Sequence, residues 1–259
     1  MAFVNTESKG VDYRVVLTSH NLVVDASQLP AEVDAVLFEG LGETPDILRC
    51  LVTGRGFRLL TGNQQHYREI VKVVRSKPNI LVGLAEPILN STYAQETENL
   101  QIESKQANSD TIELDGDITD MLLAAAMTSE EIDRRSGIFD AFSTLTTYFL
   151  QQEDLAEVEL RNLLMAQRAS SLGSLLKKAG KCRPSITLAT GVAHIGAVGA
   201  LELDEHERVA RILRDPLLPQ IFDTDHLNLG VLARYNPTSR RWSPMGFQDR
   251  ALQVACPSA

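Results

Sequence analysis

Two of the five histidines stand where an apolar run gives way to polar sequence. His20 follows Val15-Val16-Leu17, and His194 follows Ile186–Ala189 by way of Gly191-Val192-Ala193. Glu39 closes a third run, Ala35-Val36-Leu37-Phe38, and Glu86 closes a fourth, Ile80 to Leu84. Two imidazoles and one or two carboxylates can hold a divalent transition metal (Mn, Co or Zn) with a position left for water. Such an ion polarises a carbonyl and lowers the pKa of its water, as hydrolysis of an amide or ester requires. Each residue also has a purely structural reading. His20, next to Asn21, can end a strand with its ring bonded to backbone. Glu39 before Gly40 and Glu86 before Pro87 can be turn or cap acceptors. Gly191 and Gly196 beside His194 suit an ordinary tight turn as well as close backbone approach to a ligand. No HExxH motif joins these positions.

Other reactive residues are less organised. Gly54-Arg55-Gly56 lacks the Lys-Ser/Thr ending of a phosphate loop, and neither GxGxxG nor GxSxG occurs. Ser19 and His20 are adjacent on a strand end and point to opposite faces, which opposes a direct dyad. Asp115 to Asp120 lack the glycine and glutamate positions of a calcium loop. His66, His206 and His226 read as helix-surface or loop residues, and Trp242 after Arg240-Arg241 as a packing residue. Cys50, Cys182 and Cys256 form no CxxC pair, which opposes a disulfide scaffold and fits a reducing compartment. Cys182, just before a buried strand, reads as an inert core-edge thiol.

The elements that must position these side chains follow from periodicity. Strand-like runs at 15–17, 35–38, 54–60 and 79–84 alternate with a helical connector and with a helix in which Tyr67, Ile70, Val73 and Val74 recur at helical spacing. That rhythm predicts an α/β fold, a mainly parallel central sheet flanked by helices. Residues 95–120 carry eight acidic side chains against Lys105 alone and read as an exposed peripheral insert over the way out of the sheet. Residues 121–180 read as a helical region, with a Thr-x-x-Glu capping box at Thr128 and Leu160, Leu163 and Leu164 on one face of a long helix. Lys177-Lys178 and Gly180 mark its end. A strand at 185–189 and a helix from about 196 to 213 follow, and 215–259 reads as an irregular tail.

The 259 residues, 44% of them apolar, suffice for a single domain, 1–259, with a substantial core. A net charge of -9 offers no footprint for a nucleic-acid backbone. The first residues show no basic–apolar–small leader pattern, and no run is long and apolar enough to cross a bilayer. The expectation is a cytoplasmic protein without stable membrane insertion, meeting a peptide or small-molecule substrate and open to homo-oligomer formation.

Four ordered segments resemble the TraB/PrgY/GumN (TraB/Tiki) family. Leu17-Thr18-Ser19-His20 stands at its G-T-x-H segment, with Leu for Gly. Asp34-Ala35-Val36-Leu37-Phe38-Glu39 stands at its "DvvllEl" strand. "VELRNLLMAQ" keeps Arg161, Asn162 and Met165 of its "ER(N/D)xxM" helix, with Glu159 displaced by one position, and Gly191-Val192-Ala193-His194-Ile195-Gly196 stands at its G-x-x-H segment. The resemblance implies an erythromycin-esterase-like or haem-binding-ChaN-like α/β fold and a metal-dependent peptidase or hydrolase activity. By position it implies His20, Glu39 and His194 as metal ligands or acid–base groups. It further implies that Arg161, with Asn162, reaches the site from the long helix to stabilise an oxyanion. The other reading of Arg161 is an exposed or sheet-capping salt bridge. Two functions follow as expectations: a hydrolase of an amide or ester bond in a peptide or small signalling molecule, or a non-enzymatic protein that sequesters a peptide or tetrapyrrole.

Overall fold

The chain opens as a hairpin. Strand β1 (Ala2–Ser8) turns through Lys9 and Gly10 into β2 (Val11–Thr18), with Ser8 opposite Val11. Both turn residues have positive φ, 51° and 70°, the backbone of a type I′ turn whose twist matches that of the strands. Lys177 Nζ donates to the Lys9 carbonyl at 2.8 Å, so the strained turn is tied to the far end of a helix. The computed structural model describes residues 2–18, 33–39, 81–87, 89–93, 95, 131–135, 137, 139–141, 143–144, 152–224, 232–236 and 241–245.

The remaining strands are β3 (Ala35–Phe38), β4 (Leu81–Leu84), β5 (Ser185–Gly191), β6 (Leu232–Asn236) and β7 (Arg241–Met245). They form one seven-stranded sheet in the order β1-β2-β5-β3-β4-β6-β7. The inner four, β2, β5, β3 and β4, run parallel, whereas β1 at one edge and β6–β7 at the other pair antiparallel. The architecture is therefore α/β with a mixed sheet flanked by helices. Its parallel centre follows the predicted rhythm, and its antiparallel margins are a difference from it.

Alternation assigns the faces. Val11, Tyr13, Val15 and Leu17 of β2, Ile186 and Leu188 of β5, Ala35 and Leu37 of β3, and Leu81 of β4 share one core with helix α1 (Gln152–Lys178). On the opposite face Val16, Val36, Phe38 and Ala189 are buried as well. Leu17, where the resembling family has Gly, is thus a core residue. From Leu160 to Ala166 every residue of α1 is buried, which is why its apolar positions crowd beyond a single stripe. The helix ends as its sequence predicts: Gly180 takes φ 94°, its N–H donates to Lys177 O, and Lys181 N–H donates to Leu176 O. These are the two bonds of a Schellman cap.

The helix expected over 196–213 is divided. A 3₁₀ turn (Val192–Gly196) leads into α2 (Ala197–Glu202), and α3 (Glu205–Arg214) starts afresh where the Asp204 side chain accepts from His206 N–H. Leu203 is extended, with ψ 148°, and breaks the periodicity; α4 (Leu218–Ile221) follows. Inside the tail read as irregular, β6 and β7 pair from Leu232↔Met245 to Asn236↔Arg241. Backbone pairing needs no strong apolar period, and Pro244 fits because β7 is the edge strand. Cys182 is exposed rather than at the core edge, since it falls in the link between Gly180 and β5. Among the described residues no helix is long and apolar enough to cross a membrane. The strand expected at 54–60, the helix around Tyr67, the capping box at Thr128 and the acidic insert beyond Gln95 lie outside the described residues.

Helix α1 approaches β2 closely at Gly173. A Cβ there would stand 2.9 Å from Val11 Cγ2 and 3.1 Å from the Tyr13 hydroxyl, which also bonds to Ser170. Burial pushes the Tyr13 phenol up to about 12, against the opposing pull of Arg208 and Ser170. Gly173→Ala should therefore destabilise the fold by about 1–3 kcal/mol, despite alanine's better helix propensity. Urea unfolding measures it, and a stability equal to or above wild type would show that the helix and strand part without cost.

Candidate functional site

Glu39 continues the row of Ala35 and Leu37 toward α1. Its backbone is still held to the sheet, the N–H donating to Ala189 O at 2.9 Å, so the carboxylate enters the space between sheet and helix. Only 6% of Glu39 is exposed. Glu86, two residues beyond β4, is 1% exposed at the same end of the sheet. From α1, Arg161 meets both. Its Nε and Nη2 donate to Glu86 Oε1 and Oε2 at 2.5 and 3.3 Å, and Nη2 also donates to Glu39 Oε1 at 2.9 Å. Glu157, one turn earlier on α1, lies 3.7 Å from Nη1. A planar guanidinium suits this bridging, because its fork serves two carboxylates at once.

The next helix residue turns by about 100° and serves another partner. Asn162 Oδ1 lies 2.8 Å from His194 Nδ1, while His194 Nε2 lies 3.1 Å from Glu39 Oε1. Both ring nitrogens face oxygen atoms, so the ring is held from two sides. His194 is 2% exposed and holds φ -91°, ψ 21°, where the 3₁₀ turn bends. Gly191 closes the circle by donating its N–H to Glu39 Oε2 at 2.5 Å.

Burial alone would raise the Glu39 carboxyl. His194 beside it, Arg161 and the Gly191 N–H outweigh burial and hold it well below the usual carboxylate range. Burial would likewise lower Arg161, but Glu86 and Glu39 more than reverse this, so its charge is permanent.

Seven of the eight residues singled out from sequence thus meet at the C-terminal end of the parallel strands: Glu39, Glu86, Arg161, Asn162, His194, Gly191 and Gly196. His20 lies outside the described residues, although β2 ends at Thr18 in register with Gly191. Arg161 is neither exposed nor a single salt bridge. The two glycines act differently from a strained turn. Gly191 has φ -66° and ψ 160°, open to any residue, and contributes its N–H. Gly196 contributes space, since a Cβ there would stand 2.7 Å from Asn162 Nδ2. Asp34, at the other end of the same strand, accepts from Ser185 N–H and pairs with Lys181.

Sequence reasoning passed over Glu157, whose signal is its position one turn before Arg161; Glu159 is exposed instead. It also passed over Arg208, 1% exposed, which donates to Gln167 Oε1 and to the carbonyls of Ala200 and Leu203 and so ties α3 to α1 and to the end of α2. An open groove of about 430 Å³ between α1 and α3, lined by residues including Glu159, Leu163, Glu207 and Arg211, contains none of the site residues.

Among the described residues no group of three or more His, Cys, Asp or Glu side chains is arranged to hold a metal ion. Glu39 and His194 supply two donors, but Glu39 Oε1 already receives Arg161 and Oε2 the Gly191 N–H. As they stand, the described residues do not fit a divalent ion.

Two consequences can be measured. The folded Glu39 carboxyl lies below its unfolded value of about 4.3, so its stabilisation is complete above that pH and disappears as pH falls through the folded value. The stability difference between wild type and Glu39→Gln in urea should accordingly shrink on acidification; a difference independent of pH from 6 down to 2, roughly, would refute the depressed carboxyl. Separately, Gly196→Ala should push Asn162 off His194 and cost about 1–3 kcal/mol. In an Asn162→Ala background the same change should cost much less, and full additivity would disconnect the two residues.

No family model, curated protein or solved structure matches this chain.

Proposed function

We propose that this centre belongs to a hydrolase acting on an amide or ester bond in a peptide or small signalling molecule. The observation that supports it is the chain Asn162–His194–Glu39, an imidazole oriented by one group and facing a carboxylate, with a fixed guanidinium on the same oxygen. It stands at the C-terminal ends of parallel strands, where sheets of this class present their ligands. In this reading His194 takes a proton from water as the water oxygen attacks the carbonyl carbon, and returns it to the departing amine or alkoxide. Glu39 stays ionised and steadies the protonated ring. Arg161 stabilises the negative charge that develops on the carbonyl oxygen. The kinship with erythromycin-esterase-like and ChaN-like folds is part of the same proposal. The divalent ion implied by the TraB/PrgY/GumN resemblance is not, since Arg161 already holds the oxygen it would need.

The alternative reading is a protein that sequesters a peptide or tetrapyrrole without turnover. Turnover separates the two. Against panels of activated esters and peptide amides, His194→Ala and Glu39→Gln should each lower kcat/KM by about 10²–10⁴, measured on protein shown to be folded. Wild-type rates in folded His194→Ala would end the hydrolase reading, and tight ligand binding without turnover would favour sequestration.

A further inference from the structure

We propose that Glu157 determines the specificity of this centre by selecting substrates that carry a positive charge next to the reacting carbonyl. The class that fits is an α-aminoacyl amide or ester with a free ammonium group, as at the unblocked N-terminus of a peptide. The inference rests on the hydrolytic reading and names a substrate class for it.

The charges at the centre do not balance. Glu39, Glu86 and Glu157 stand around one guanidinium, and three carboxylates against one cation leave a formal charge of -2 on these four side chains. Arg161 commits Nε and Nη2 to Glu86 and Nη2 again to Glu39, at 2.5 to 3.3 Å. Glu157 is left 3.7 Å from Nη1, beyond hydrogen-bond reach, and does least of the three to hold the Arg161 charge. The surplus negative charge is therefore centred on Glu157.

Access singles out the same residue. Arg161, Glu39 and Glu86 are buried, whereas the Glu157 side chain is 24% exposed. Lying four residues before Arg161 on α1, it stands one turn away on the same helix face. Nη1, the nitrogen beside it, makes no hydrogen bond among the described residues, so its N–H groups are the ones left for a developing carbonyl oxygen. An oxygen accepting from Nη1 at about 2.9 Å would share that nitrogen with Glu157. An ammonium on the carbon next to that carbonyl then comes within reach of the Glu157 carboxylate, for a charge-assisted hydrogen bond of about 2.8 Å. A carboxylate in that place would meet Glu157 as a like charge, weakly screened beside the buried ion pairs. An acylated amine would leave Glu157 without its partner.

The test compares matched substrates on the full chain: amino-acid nitroanilides and methyl esters with a free α-amino group, and the same compounds N-acetylated. Wild type should prefer the free amine in kcat/KM by about tenfold or more, and Glu157→Gln should bring that ratio toward one. A general effect of the substitution on Arg161 cancels in the ratio. A wild-type ratio near one overturns the inference, as does a ratio that Glu157→Gln leaves intact, which is the result expected of a mere helix partner for Arg161. Calorimetric binding of the amino-acid amides and their N-acetyl forms gives the same comparison without turnover. A free-amine preference in binding that Glu157→Gln removes supports the charge selection even where no compound is hydrolysed, and then the hydrolytic reading alone fails. Equal binding of the two forms by wild type, or binding of neither, overturns the inference.

Discussion

The structure depends on one permanent positive charge out of water. Arg161 is 6% exposed and joins the ends of β3 and β4 to α1 through Glu39 and Glu86. Removing either partner alone would leave a buried charge uncompensated, at a cost of about 3–5 kcal/mol. An apolar substitute of similar volume could hold the same elements together at no greater expense, so stability does not explain the choice of an arginine. What the ion pairs add is geometry. They fix Glu39 so that its other oxygen contacts, the Gly191 N–H and the His194 ring, meet it from the β5 side, and they make the ends of three strands and a helix into one unit.

The strands were legible because their causes are local. Ala35 to Phe38 and Leu81 to Leu84 are short apolar runs closed by polar residues, and both fold as the strands they predict. Strand-end logic also located Glu39, Glu86 and His194, and the resemblance added Arg161 and Asn162. The end of α1 was equally readable, since Gly180 and the basic last turn act within a few residues. β1 and the β6–β7 pair were not legible. Ala2–Ser8 and Leu232–Asn236 carry weak periods, and their stability comes from neighbours that composition does not reveal. The placement of β5 between β2 and β3 has no local signal either, because it follows from how the sheet closes.

Within the site, sequence found the residues and missed the bonds. Arg161 contacts Glu86 and Glu39 across 75 and 122 residues, and nothing short of the fold specifies that they meet. The roles of the two glycines were misread for a physical reason. Sequence suggests freedom of φ, whereas Gly191 has an ordinary backbone and Gly196 matters for the room it leaves to Asn162. Glu157 stands beside Arg161 because it lies four residues before it, about one helical turn, whereas Glu159, two residues before, is exposed.

The sheet order has a consequence for synthesis. Strand β5 fills the centre, pairing Asp12 with Ser185 on one side and Ala35 with Ile186 on the other. Until it leaves the ribosome, β2 and β3 have no common neighbour, and Glu39 and Glu86 are already present with neither the ring of His194 nor the amide of Gly191. Pairings this distant close slowly, after the entropy of a long loop has been surrendered. The nascent chain therefore carries two apolar half-sheets with open edges for most of its elongation, a state in which chaperones or a neighbouring copy can compete for β2 and β3. The strand that delivers the histidine is also the strand that covers the facing edges of β2 and β3.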